Sequence, residues 1–165
     1  MKAWQMFFIL IGMPFLSAAF SFNLIIFLGI SIAFQATLLL WFWSIAKASN
    51  QRADDKFKRS MKPMSIGFIY IVLYSIFFCY FTVATSINSK PSPLPMWIVP
   101  LHLGAMISIF YGLWFTAKQF MTFSKGEEVK FIDFSSPFFL LWFFPIGVWF
   151  IQPKVNQLLV NNNNE

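Results

Sequence analysis

Four long apolar stretches and one polar loop set the pattern of this chain. From Ala3 to Ala46 no residue is charged. A continuous helix of that length would be roughly 66 Å long, about twice the hydrocarbon core of a bilayer. The segment must therefore fold back, and Ser21-Phe22-Asn23 is the best place for the turn. That predicts a first helix over Trp4 to Phe20, with Pro14 inside it, and a second over Leu24 to Ala46. A secretory signal is the competing reading of the first stretch, with Lys2 as its charged start and Ser17-Ala18-Ala19 as a small-residue cleavage site. The apolar run is long for a signal and leads straight into another span, so a retained helix is expected.

Beyond the polar loop, a third span is expected from Pro63 to Ser86, where Pro63 suits a first helical turn. The stretch Ile87 to Pro95 holds three prolines close together and cannot be helical throughout, which makes it a loop. A fourth span follows from Met96 to Phe120, and Lys125 to Lys130, with Glu127 and Glu128, forms a nearly neutral connection. In the last segment Asp133, Ser135 or Ser136 can cap a helix whose first turn contains Pro137. Phe138 to Ile151 is then almost wholly apolar, interrupted by Pro145 and Gly147, so a kink at Pro145 is expected. Residues 161–165 read as a polar tail with nothing to bury. The pattern therefore specifies an all-α, polytopic helical membrane protein with one transmembrane domain over residues 1–160. It has about five transmembrane helices, or four if the first or last is not a full span.

Composition agrees with the pattern: of 165 residues, 58% are apolar, 21% aromatic and only 11% charged, far from the balance of a soluble globule. The net charge of +6 changes the picture only through its distribution. Half of the twelve basic residues, Lys47, Arg52, Lys56, Lys58, Arg59 and Lys62, stand in one short loop against Asp54 and Asp55. Such a loop stays on the cytoplasmic side, which puts the amino terminus in the cytoplasm and Trp41 and Trp43 at the headgroup level. Anionic lipid headgroups are the expected partner of Lys47 to Lys62. No aromatic-basic recognition pattern accompanies the charge, so no nucleic acid is expected. Cys79 stands alone, which rules out an intramolecular disulfide and a cysteine-based metal or redox pair.

Ionisable residues inside a membrane are the usual pointers to function. No Asp, Glu, Lys or Arg falls in the middle of a predicted span, which argues against a proton-coupled transporter. His102 is the one titratable candidate; a relay or a haem or metal ligand is the sharper reading, and a hydrogen bond to a neighbouring helix the expected one. Ser31 and Gln35 make a polar strip on the second helix, either lining a lumen or bonding across helices. Gly104, Ser108 and Gly112 recur every four residues on the fourth helix, and Gly29, Ala33 and Thr37 do so on the second. Such stripes let helices approach closely. There is no phosphate loop, nucleophile elbow, HExxH or paired carboxylate, so neither a cofactor nor an enzyme is expected.

The second half of the chain carries a recognisable run: Pro100-Leu101-His102-Leu103, Ile109-Phe110-Tyr111, Ala117-Lys118, Phe131-Ile132-Asp133-Phe134, and Leu141 through Asn156 with the closing WFFPIGVWFIQPKVN. It resembles a group of small uncharacterised multi-pass proteins of bacterial membranes. The resemblance implies a multi-pass protein of the bacterial cytoplasmic membrane and places His102, Asp133, Gln152 and Asn156 in one pattern. Two functions follow as expectations. The first is a non-catalytic accessory or scaffold component that packs on a membrane partner or a second copy of itself. The second is an oligomeric pore or small carrier lined by the polar residues of the second helix.

Overall fold

The computed structural model describes residues 2–20, 23–87 and 95–160, without the side chains of 86–87 and 158–160. Most of the expected proline-rich loop and the tail at 161–165 lie outside the described residues. Those described form six α-helices: α1 Ala3–Ala19, α2 Leu24–Arg52, α3 Lys62–Ile87, α4 Ile98–Lys125, α5 Phe131–Trp142 and α6 Phe144–Val160. The chain is a polytopic helical membrane protein, since α2, α3 and α4 are each long and apolar enough to cross a bilayer. At 17 residues α1 is only about 26 Å long, at the lower limit of a span.

Local chemistry sets the ends of these helices. Asn23 caps α2, its side-chain oxygen accepting from the Ile26 N–H at 3.2 Å. At the other end α2 continues through Lys47 to Arg52 rather than stopping near Ala46, because polar residues outside the bilayer can still complete the backbone ladder. The basic loop shrinks accordingly to residues 53–61, with a 3-10 turn at Asp55–Phe57. Asn50 ties that loop down: its amide accepts from the Arg59 N–H at 2.8 Å and donates to the Arg59 carbonyl at 2.9 Å. Likewise α4 runs on to Lys125, where Gly126 adopts a left-handed φ of 68° and ends it. The ends of α2 and α4 and the start of α3 therefore share one end of the bundle, the basic end.

The last apolar segment is not a single kinked span. It divides at Phe143 into α5 and α6, whose directions differ by 119°. Phe143 closes one helix and opens the next. Its N–H donates to the Phe139 carbonyl at 2.8 Å, and its own carbonyl accepts from Ile146 at 3.0 Å and Gly147 at 2.9 Å. The expected kink at Pro145 is thus corrected to a break at Phe143, because a proline fits the first turn of a new helix, where its missing donor costs nothing. Gly147 makes the turn possible: a Cβ at that position would overlap the backbone carbonyl of Leu140.

Contacts along the neighbours show where the pair goes. At the basic end Lys125, the last residue of α4, pairs with Asp133. Further from that end Trp114 meets Phe134, ring centroids 6.3 Å apart, and Phe110, midway along α4, meets Trp142 at 4.5 Å. On the return, Phe144 meets Phe34 at 5.7 Å, and Gln152 bonds to Trp41, two turns nearer the basic end of α2. So α5 climbs from the basic end to the middle of the bundle and α6 descends to where it began. The twelve residues of α5 reach about 18 Å, little more than half of the bilayer core, so the pair is a re-entrant hairpin.

This hairpin decides where the core sits. Buried residues of α2 run from Leu39 to Ser49, with none nearer its start. In α3 the buried apolar side chains end at Tyr74, and in α4 most lie from Gly112 to Thr122. The core is therefore concentrated in the basic half, wrapped around Leu141, Val148, Ile151 and Val155 of the hairpin.

Candidate functional site

Above the hairpin tip, α2, α3 and α4 enclose a crevice of about 470 Å³. Its walls are mainly apolar, with Phe27, Phe34, Leu38, Phe78 and Ile109, and the Phe34 ring rests on Phe144 at the tip. Into this surface the three helices bring Ser31 and Gln35, Tyr74, Ser75 and Cys79, and His102. The helical period explains the grouping: Ser31 and Gln35 are four apart, as are Ser75 and Cys79, so each pair shares a face.

Most of these groups are bonded within the protein. His102 Nδ1 lies 3.0 Å from the Tyr74 hydroxyl, and either can donate, depending on the tautomer. Tyr70, one turn away and stacked on Tyr74, donates to the Leu101 carbonyl at 2.8 Å. Ser31 donates to the Phe27 carbonyl at 2.8 Å and lies 3.2 Å from the Ser17 hydroxyl of α1. Ser75 donates to the Ile71 carbonyl at 2.9 Å. Gln35 differs: its amide makes no hydrogen bond to any described residue while lining a mainly apolar recess. In hydrocarbon an unsatisfied polar group is expensive, of the order of several kcal/mol.

Of the six polar positions singled out in the sequence, His102, Gln35 and Ser31 meet here and the other three do not. Asp133 stands at the basic end, paired with Lys125 and accepting from the Lys130 N–H at 2.9 Å, so it caps α5. Gln152 accepts from the Trp41 indole N–H at 2.8 Å and donates to Asn156 at 3.1 Å, fastening the returning helix to α2. His102 and Lys125 are 23 residues apart on α4, which is about 34 Å, so His102 and Asp133 do not share a site. Tyr74, Ser75 and Cys79 were not among the sequence candidates. The signal available for them was the Tyr70-Tyr74-Phe78 series at four-residue spacing, which reads equally as plain aromatic packing.

The small-residue stripes separate in the same way. Gly104 faces the Tyr70 hydroxyl, a Cβ there falling 2.9 Å from it; Gly67 faces Ser108; Gly112 receives the Phe68 ring. The stripe on α4 thus serves α3 of the same chain. Gly29 has nothing within 4 Å of where its Cβ would be, and Gly29 and Ala33 are both exposed. At the basic end Lys58 pairs with Asp55 at 2.7 Å and holds that carboxyl below the usual carboxylate range. Arg59 and Lys118 both reach Glu128, at 2.9 Å and 3.7 Å. Ser49 and Gln119, buried in the same half, each keep a side-chain oxygen without a partner among the described residues.

No family model, curated protein or solved structure matches this chain. Its function is therefore argued from the crevice itself.

Proposed function

We propose that the protein is a non-catalytic membrane component whose crevice holds a lipid-soluble molecule bearing a hydrogen-bonding head, a carbonyl or a hydroxyl. The Gln35 amide, which has no hydrogen bond to any described residue and lines a mainly apolar recess, carries the reading. About 470 Å³ falls in the range of small-molecule sites, which are mostly apolar with a few placed polar groups. The Gln35 amide would meet the head of the ligand, and the His102–Tyr74 pair offers a second donor or acceptor. Phe27, Phe34 and Phe78 would cover its body. The basic loop faces the cytoplasm in this reading, so the crevice lies toward the outer leaflet of what we take to be a bacterial cytoplasmic membrane.

The test is extraction in mild detergent followed by mass spectrometry of co-purifying small molecules. A carbonyl- or hydroxyl-bearing apolar compound should be enriched, and Gln35→Leu should lower its occupancy roughly three- to tenfold, the worth of one hydrogen bond. Unchanged occupancy in that variant would remove the crevice from the account. A second reading is an oligomer, with several copies forming a pore. It is favoured by the exposed Gly29 and Ala33 face, which leaves room for another helix. The mass of the protein–detergent particle separates the two.

A further inference from the structure

A second recess lies on the outside of the bundle, near its basic end. It is a groove of about 440 Å³ between α2 and α3, lined by Ala36, Leu40 and Trp43 on one side and Ser65, Ile69 and Leu73 on the other. Leu40, Ile69 and Leu73 are each at least 60% exposed, so the groove opens to the surrounding hydrocarbon. From Ala36 to Lys47 is about 16 Å along α2, close to the thickness of one leaflet.

The mouth of this groove is cationic. Lys47 lies one turn beyond Trp43 and sits with its ammonium 4.7 Å from the centre of that ring. Lys62 opens α3 three residues before Ser65, on the same face. Both are exposed, and neither has an ion pair among the described residues, whereas Lys58 and Arg59 are held by Asp55 and Glu128. An apolar channel one leaflet deep that ends at two ammonium groups with no ion pair among the described residues matches one kind of occupant. We infer that the α2–α3 groove binds a single anionic phospholipid, one acyl chain lying along Leu40, Ile69 and Leu73 and the phosphate headgroup between Lys47 and Lys62. Charge complementarity selects an anionic lipid over a zwitterionic one, and the groove distinguishes a bound lipid from a diffuse attraction to the whole loop.

The experiment uses the full chain in mild detergent, titrated with dioleoyl phosphatidylglycerol or dioleoyl phosphatidylcholine and read by native mass spectrometry. One phosphatidylglycerol should be retained roughly thirtyfold more tightly than phosphatidylcholine, from two lysines acting together. Lys47→Gln with Lys62→Gln should erase that preference and leave phosphatidylcholine unchanged; both side chains are exposed, so the fold is kept. Ala36→Phe, which fills the groove, should weaken both lipids in protein whose helix content is unaltered. Lys56→Gln with Lys58→Gln should change nothing. Equal retention of the two lipids by the native chain would overturn the inference. So would a loss of preference in the Lys56/Lys58 variant as large as in the Lys47/Lys62 variant, or a photo-crosslinker at Leu40 that captures a polypeptide instead of lipid.

Discussion

Below the level of Phe34 and Phe110 the re-entrant hairpin fills the centre of the bundle, whereas above it α3 and α4 stay in contact through Tyr74 and His102 and a crevice opens between them and α2. The same three helices, α2, α3 and α4, run through both halves and each is apolar enough to cross a bilayer, so the contrast does not come from one of them being polar. What differs is the re-entrant hairpin, which enters from the basic end and stops midway. In the lower half it supplies Leu141, Val148, Ile151 and Val155, around which Ile45, Ala46, Ala117 and Phe120 are buried. In the upper half no described helix takes its place, and the polar side chains of α2, α3 and α4 line the opening. A helix pair that ends halfway thus does two things: it stiffens one half of the bundle and leaves a recess in the other.

Removing the hairpin is the harshest way to break this contrast. Gly147→Ala places a methyl group against the Leu140 carbonyl, a clash with backbone rather than with a movable side chain. The turn at Phe143 cannot then close, and a loss of about 3 kcal/mol is expected, at the upper end of overpacking effects. Thermal unfolding in detergent measures it. In a Cys79→Ser background the topology can be read as well. With the hairpin intact, Asn156→Cys should be labelled from the same side as Ala53→Cys, and opposite labelling would mean that α5 and α6 form one broken span.

A milder disturbance compares the two stripes. Gly112→Leu drives a side chain into the Phe68 ring within the packed half and should cost about 2 kcal/mol. Gly29→Leu meets open space in the loose half and should fall within about 0.5 kcal/mol of the native protein. Comparable losses in both variants would show that the far half is packed by something outside this chain, a second copy being the first to consider.

The helices themselves were legible because a bilayer demands uninterrupted apolar length, and four such runs stood out, one before the basic loop and three after it. Their ends were less so, since α2 and α4 continue into water, where periodicity carries no membrane signal. The hairpin was not legible as a hairpin: Phe138 to Ile151 has the hydropathy of a span, and only Gly147 against Leu140 reveals the reversal. Half of the site could be read from intramembrane polarity, which marked Ser31, Gln35 and His102. Asp133, Gln152 and Asn156 were marked instead by the resemblance of the closing run, and they fasten α5 and α6. Polarity marks where hydrogen bonds are needed, and tertiary contacts decide whether the protein supplies them.

Pro145 provides a small expected effect and the sharpest contrast with Gly147, two residues away. Were it the origin of a kink in a continuous helix, Pro145→Ala would restore an interior hydrogen bond, straighten the segment and move Asn156 relative to the bilayer. In the hairpin the reversal is made by Phe143 and held by Gly147, and Pro145 stands where the amide N–H of any residue would lack a helical partner. Alanine there gains no hydrogen bond and loses only the restriction that proline places on the unfolded chain, so a destabilisation of about 0.4–1 kcal/mol is expected. Labelling of a cysteine at Asn156 should be unchanged. A gain in stability together with altered labelling at that position would return Pro145 to the role of a kink and make α5 and α6 a single bent span.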